Sequence, residues 1–466
     1  MSYVIYDVET TGLTRCFDQI VQFAAVRTDD ALKVTDQYHI RCRLMPHVIP
    51  SPEALNVTGL RIEQLVDPSL PSHFTMVTEI RRVLESWCPT LFLGYNSLSF
   101  DEEFLRIAFY QCLHGPYLTN APGNARADVL NLCRITAALR PDVIKPATNK
   151  EGRPVFKLKA LAEANDIVVP LSHDAIADVA TTLALCQHVR MRAPEIWSQF
   201  LRFSKKASVE AFITEEDAFL VSETFGNHHR ARAVTRIGKH SEQATKHYCL
   251  DLSADLEAIR TMPDIELILL CQGDARPIVT IRTNAAPTLW ALYDATPDQI
   301  APLDETEIVE RAQLIREDQP LMERLCKVAQ AAEPSYPPSP HVEEQLYGHA
   351  FPSPQDKTLM QDFHEAHWEK RVELAGRFTD MRFRLLAERL IYLERPGLLE
   401  ENLRLAADEE LRNRVMAPIS SKARWRSIPA AQRDLEAFIE KDLEGDQLAN
   451  MVGYGEHLRR RASEYS

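Results

Sequence analysis

The 466-residue chain has nine cysteines, and no two of them stand at the CxxC spacing of a zinc or redox site. Their odd number and irregular spacing point to reduced thiols in a reducing compartment. No apolar run approaches the ~18 residues that would suggest a membrane span. The opening residues, Met1-Ser2-Tyr3-Val4-Ile5-Tyr6, lack the basic region and cleavage site of a signal peptide. These absences predict a cytoplasmic protein that makes no membrane contact. There is no internal repeat of ~20–50 residues and no low-complexity tail. An excess of positive charge is also missing, since 53 Lys and Arg face 67 Asp and Glu, a net charge of −14. Taken alone, that balance disfavours a nucleic-acid substrate, because phosphates repel an acidic surface. A carboxylate-rich metal site adds negative charge of its own, however, and a local basic groove still holds a strand.

Hydrophobic residues make up 45% of the chain and charged residues 26%, as in a soluble globular protein. The length calls for two or three domains. Residues 1–193 alternate strands and helices. Strands are predicted at 3–7, 20–27, 38–44 and 91–93, with a polar turn at Thr28-Asp29-Asp30. Helices are predicted at 73–88, 100–113, 128–139, 158–164 and 174–190. This pattern fits an α/β domain with a mixed sheet. Residues 194–340 read as a small β-rich domain with helical additions. Its β-like runs are 247–251, 267–271 and 277–282, and a helix is predicted at 308–316. Four prolines within residues 334–340 make a linker. Residues 341–466 read as helical, with helices at 381–393, stopped by Pro396-Gly397, and at 432–443.

Three acidic motifs stand out. In Asp7-Val8-Glu9-Thr10-Thr11-Gly12, at the end of the first strand, Asp7 and Glu9 share a face because side chains alternate along a strand. Two close carboxylates repel unless a cation lies between them, and Mg²⁺ prefers oxygen ligands. Two solvated acids at a strand end are the alternative. In Leu93-Gly94-Tyr95-Asn96-Ser97-Leu98-Ser99-Phe100-Asp101, a strand turns into a helix at Asp101, where an acid also serves simply as a cap. In His173-Asp174-Ala175-Ile176-Ala177-Asp178, His173 precedes a helix and Asp178 lies about one turn inside it, among small and apolar neighbours. Burying that acid without a positive partner would be costly. An exposed helical Asp is the alternative.

Taken in order, these motifs resemble the histidine-containing branch of the DEDD exonuclease superfamily. Segments 22–29, 93–96, Ala138-Leu139-Arg140-Pro141, 173–179, Val221-Ser222…Phe225-Gly226 and Glu344-Gln345-Leu346-Tyr347 look like the bacterial exonuclease I family, so the similarity runs nearly the whole length. The resemblance implies an RNase H-like exonuclease domain (1–193), an SH3-like domain with helical additions (194–340) and a helical C-terminal domain (341–466). It implies 3′→5′ removal of nucleotides from single-stranded DNA in repair and recombination. Asp7, Glu9, Asp101 and Asp178 would hold two Mg²⁺ ions, with Mn²⁺ as a substitute, and His173 would be the general base. An unperturbed imidazole pKa near ~6.5 suits that role. Glu9, Lys157, Arg106, Tyr117 and Arg134 would contact the strand, and segment 48–60 resembles the part that packs near the terminal nucleotide. The family also suggests the acidic, hydrophobic tail of single-strand-binding protein as a partner, and a monomer.

The chain departs from the family pattern at three places. Thr11 stands where the family has an aromatic residue, the loop 117–124 has no tryptophan, and Lys157 replaces an arginine, which loses the bidentate fork. In the middle region His228, His229, Arg230, Arg232, Arg236, Lys239 and Lys246 face one acid, Glu242, which suggests phosphate contact or else a solvated loop. Two other functions compete with the DNA reading. One is the same chemistry on RNA, and the other is an inactive nuclease-like binding module. The extra domains favour DNA over the first, and five intact motif positions argue against the second.

Overall fold

The computed structural model describes residues 2–168, 174–225, 228–440 and 443–465. A mixed five-stranded sheet is built from β1 (Tyr3–Thr10), β2 (Ile20–Thr28), β3 (Val34–Arg41), β4 (Leu91–Gly94) and β5 (Ala125–Asp128). The spatial order is β3-β2-β1-β4-β5. The β1, β2 and β3 strands form an antiparallel meander, while β4 runs parallel to β1 and β5 parallel to β4. Period-two alternation sends the side chains of β1 into two different cores. Tyr3 and Ile5 pack with Val129, Leu132, Val179 and Cys186. Val4, Tyr6 and Val8 pack with Ile80, Phe104 and Phe109 on the opposite face.

The helices of this region are α1 (Pro52–Thr58), α2 (Ile62–Leu65), α3 (His73–Ser86), α4 (Asp101–Gln111), α5 (Val129–Leu139), α6 (Leu158–Ala164) and α7 (Ala175–Arg192). Most lie where apolar periodicity predicts them. The Asp174 carboxylate caps α7 by accepting from Ala177 N at 3.0 Å, so the helix begins one residue later than predicted. Two differences concern strands. The first strand runs on to Thr10, because β2 keeps pairing with it through Thr10 opposite Ile20, so Asp7 and Glu9 stand inside the strand. The third strand is Val34–Arg41 rather than 38–44. It is an edge strand with mostly exposed side chains, so its sequence shows no apolar alternation.

A hairpin of two short strands, β6 (Ala147–Thr148) with β7 (Pro154–Val155), leads towards α6. The middle region forms a second, antiparallel sheet of β8 (Phe219–Phe225), β9 (His228–Lys239), β10 (Lys246–Asp251), β11 (Ile278–Arg282) and β12 (Leu289–Ala291), in the order β11-β10-β9-β8-β12. Residues 267–271, predicted as β-like, lie instead in the helix Asp264–Gln272. A short apolar run has no periodicity that separates strand from buried helix. Here Pro263 at the N-cap and Asp264 and Glu266 in the first turn favour the helix.

After residues 334–340, which have no regular structure apart from a bend at Pro340, the chain is helical. Its longer helices are Pro354–Glu365, Met381–Glu394, Glu401–Val415, Ile428–Ile439 and Gly445–Glu464. They share cores with the first region. Phe363, Phe383, Leu386 and Leu390 join the α3–α4 face of the sheet. Ile428, Leu435, Tyr454 and Leu458 pack on Leu55, Leu60 and Ile62. Among the described residues, no helix is long and apolar enough to cross a membrane.

Candidate active site

The parallel neighbour of β1 stops early. β4 pairs with it only as far as Ile5 opposite Leu93 and then turns away at Gly94. Beyond that point the β4-side edge of β1 is open, and α4 brings Asp101 to it. Val8 N–H donates to Asp101 Oδ1 at 3.0 Å. In open α/β sheets, ligand sites form outside the carboxyl ends of the strands, where neighbouring connections diverge. Asp7 and Glu9 continue the face of β1 that α7 covers, and α7 supplies Asp178. One carboxylate oxygen each from Asp7, Glu9 and Asp178 lies within 4.8 Å of the others.

The electrostatics of this cluster are unfavourable to charge. Burial pushes the Asp7 carboxyl well above its usual range, and Asp101, Glu9 and Asp178 push it further. The Glu9 carboxyl is pushed up to about 8 by burial and then by Asp178 and Asp101, with Arg41 only partly opposing. Asp101 rises to about 7, again mainly through burial, despite the Val8 N–H. Acids crowded in this way are stable as anions only with a cation among them. Their oxygen-only donor set suits a hard divalent ion.

The loop that delivers Asp101 is held from below. Asp128 accepts from Asn96 N at 2.8 Å, Leu98 N at 3.2 Å and Leu130 N at 3.0 Å, so one carboxylate caps α5 and braces the β4–α4 turn. A Cβ on Gly94 would lie 2.9 Å from the Tyr6 carbonyl oxygen and 2.5 Å from Ser97 Cβ, so the turn needs glycine there. Asn96 adopts φ +60°. On the other flank, Thr11 is buried and donates its hydroxyl to Asp18 at 2.9 Å. Ser51 N donates to Thr11 O at 2.8 Å, which seats segment 48–60 beside the Asp7-Val8-Glu9 strand. The bracing role of Asp128 is missed by sequence reasoning. An acid at the first position of the predicted helix 128–139 was its one signal.

Glu102, next to Asp101, was also missed. It is 1% exposed and bonds Tyr6 Oη at 2.9 Å, Arg106 at 2.7 Å and Arg126 at 2.6 Å. Burial opposes its ionisation, but Arg126 and Arg106, with the Thr119 and Tyr6 hydroxyls, hold the carboxyl below its usual range.

The remaining predicted residues separate by environment. His173 lies outside the described residues. Arg106, expected at the strand, is buried instead, because Glu102, Glu103 (2.9 Å) and the Tyr347 hydroxyl (3.0 Å) hold its guanidinium. Its charge is spent inside the protein. Tyr117 is half-buried over that guanidinium, at 5.2 Å, and meets Phe351 edge-on. Arg134 is half-buried, 5.9 Å from the Phe156 ring. Lys157 is exposed at the start of α6, and Tyr95 fixes that segment through its hydroxyl bond to Phe156 O at 2.6 Å.

The basic run of the middle region is partly neutralised. Buried Arg232 pairs with Asp251 at 3.3 Å, Lys246 pairs with Glu333, and Arg236 donates to His247 at 3.1 Å. Arg230 and Lys239 are exposed.

Residues 4–186 match the RNase_T family model, described as Exonuclease. Exodeoxyribonuclease I of Escherichia coli strain K12 is 27% identical over 419 residues, 86% of each chain. Among solved structures, E. coli exonuclease I in complex with a dA16 oligonucleotide superposes with a TM-score of 0.87, at 24% identity, over 100% of both chains. The zinc ion bound form of an E. coli exonuclease I–single-stranded DNA complex gives a TM-score of 0.85 at 23% identity, over 99% of both. The structural likeness carries the fold, including the mixed sheet, the second β-sheet and the helical end. Residues 4–186 thus match an exonuclease family, and the chain is similar to exodeoxyribonuclease I along most of its length.

Proposed function

We propose that this chain removes deoxynucleoside 5′-monophosphates one at a time from the 3′ end of single-stranded DNA, in the cytoplasm, as a monomer serving repair and recombination. The observation that carries this reading is the convergence of Asp7, Glu9 and Asp178 within 4.8 Å, beside an Asp101 pinned to Val8 N. These four acids are assigned as the ligands of two Mg²⁺ ions, for which Mn²⁺ would substitute. When bound, the ions would lower the pKa of the attacking water and neutralise the leaving 3′ oxygen. His173 is assigned, on the sequence pattern, to take the proton from that water. Glu9 also faces the terminal nucleotide.

Lys157 is the best placed of the proposed strand contacts, being exposed, and Tyr117 offers a ring for stacking. Arg134 would act beside Lys157. Arg106 would act indirectly, by holding Tyr117 and Tyr347 in place. The domain boundaries follow the sequence at 193 and 340. A partner reading from the family resemblance is the acidic tail of single-strand-binding protein.

The test sets labelled single-stranded DNA, duplex DNA and RNA side by side, each with magnesium and with chelator. Mononucleotide release from single-stranded DNA alone, and only with metal, is expected. Equal degradation of RNA would favour an exoribonuclease instead.

A further inference from the structure

Asp101 and Glu102 are adjacent acids at the start of α4, and they face different neighbours. Asp101 reaches the open edge of β1 through Val8 N at 3.0 Å. Glu102 reaches the opposite face of the same strand, where Tyr6 Oη donates to it at 2.9 Å. The strand residues involved, Tyr6 and Val8, flank Asp7. Asp7 and Asp101 are therefore tied together by two cross-links, one on each side. Behind Tyr6, the other oxygen of Glu102 accepts from Thr119 at 2.5 Å, from Arg106 at 2.7 Å and from Arg126 at 2.6 Å. Thr119 lies in the turn before β5, and Arg126 lies on β5 itself. One carboxylate thus joins β1, α4, that turn and β5. Arg106 carries the network onward to Tyr347, beyond the proline-rich linker.

We infer that Glu102, acting through Tyr6, is a positioning residue that sets the separation of Asp7 and Asp101 and thereby the affinity of the acidic site for its cation. This rests on the metal-dependent reading above. The rear hydrogen bond stops β1 from sliding along α4, a movement the mutual repulsion of Asp7, Glu9, Asp101 and Asp178 would otherwise favour. Glu102 itself does not face the reacting atoms.

Tyr6→Phe is the clean probe. It deletes one hydroxyl and leaves Glu102 with both arginines and Thr119, so the fold is retained. Calorimetric titration with Mn²⁺ should show affinity about three- to tenfold weaker than wild type, as expected for loss of one buried hydrogen bond. Its unfolding midpoint without metal should stay within a few degrees of wild type. At saturating Mn²⁺, kcat should recover and KM for single-stranded DNA should be unchanged. Glu102→Gln, which also takes the counter-charge from two arginines, should weaken Mn²⁺ binding further in the folded fraction. Wild-type Mn²⁺ affinity in Tyr6→Phe, or an activity loss that excess Mn²⁺ does not restore, would overturn the positioning role alone. A wild-type protein that binds no Mn²⁺ would overturn it together with the metal-dependent reading.

Discussion

Two acidic sites sit back to back across β1, and they differ in sign balance. On one face Asp7, Glu9, Asp101 and Asp178 crowd together, with Arg41 partly opposing at Glu9, and the carboxyls of Asp7, Glu9 and Asp101 are pushed up. On the other, a single Glu102 is held by two arginines and two hydroxyls, and its carboxyl is pushed down. Each draws on β1 and the start of α4, Asp7 and Asp101 in one and Tyr6 and Glu102 in the other. The difference separates an acid that stabilises the fold from acids that destabilise it until something arrives. Glu102 has its counter-charge inside the chain. Asp7, Glu9 and Asp101 are raised by one another and by Asp178, and this crowding marks the group as a cation site.

The comparison can be broken from either side. Asp178→Ala removes a member of the crowded acidic cluster. Turnover on single-stranded DNA should fall on the order of a thousandfold or more, with strand binding retained in a gel-shift assay. Normal turnover would refute the assignment. Glu102→Gln acts on the compensated cluster and leaves Arg106 and Arg126 short of a counter-charge. Urea unfolding should show a loss of about 3–5 kcal/mol.

pH sharpens the contrast. Burial and the neighbouring acids push the Glu9 carboxyl up to about 8 from an ordinary 4.5, and the Asp101 carboxyl up to about 7 from 3.8. Between those ordinary values and the raised ones the folded protein binds more protons than the unfolded chain, so metal-free stability falls as pH rises through that window. The fall should be on the order of 2 kcal/mol after allowance for solvent screening, and saturating Mg²⁺ should flatten it. Glu102, whose carboxyl is lowered, contributes the reverse. Its stabilisation is present above the ordinary Glu value and is lost only in acid. Asp128→Ala removes the brace beneath the β4–α4 turn and should cost about 1–2 kcal/mol, read from the thermal midpoint. The smallest effect belongs to Lys157→Ala, which should raise KM with kcat unchanged and reduce the salt slope of DNA binding by about one.

Much of this was legible in the chain. Alternation along residues 3–9 put Asp7 and Glu9 on one face, and helical spacing placed Asp178 a turn inside α7. The helices 158–164 and 381–393 were marked by apolar periodicity because each buries one stripe. Partnerships between distant residues were hidden. Nothing local joins Glu102 to Tyr6, Thr119 and Arg126, so Arg106 read as a free cation when its charge is already used. The same holds for Arg232 and Lys246, whose acids Asp251 and Glu333 lie on other elements. Edge strand β3 and the helix Asp264–Gln272 lacked the periodicity that would have revealed them.

The most direct measurement is calorimetric titration of Mg²⁺ or Mn²⁺ into the metal-free protein at pH 7, repeated in buffers of different ionisation enthalpy. Crowded acids with raised pKa values must give up protons as the cation binds. Saturable binding with net proton release at pH 7, shrinking as pH approaches 9, is the predicted result. Binding without proton release, or no saturable binding, would contradict it.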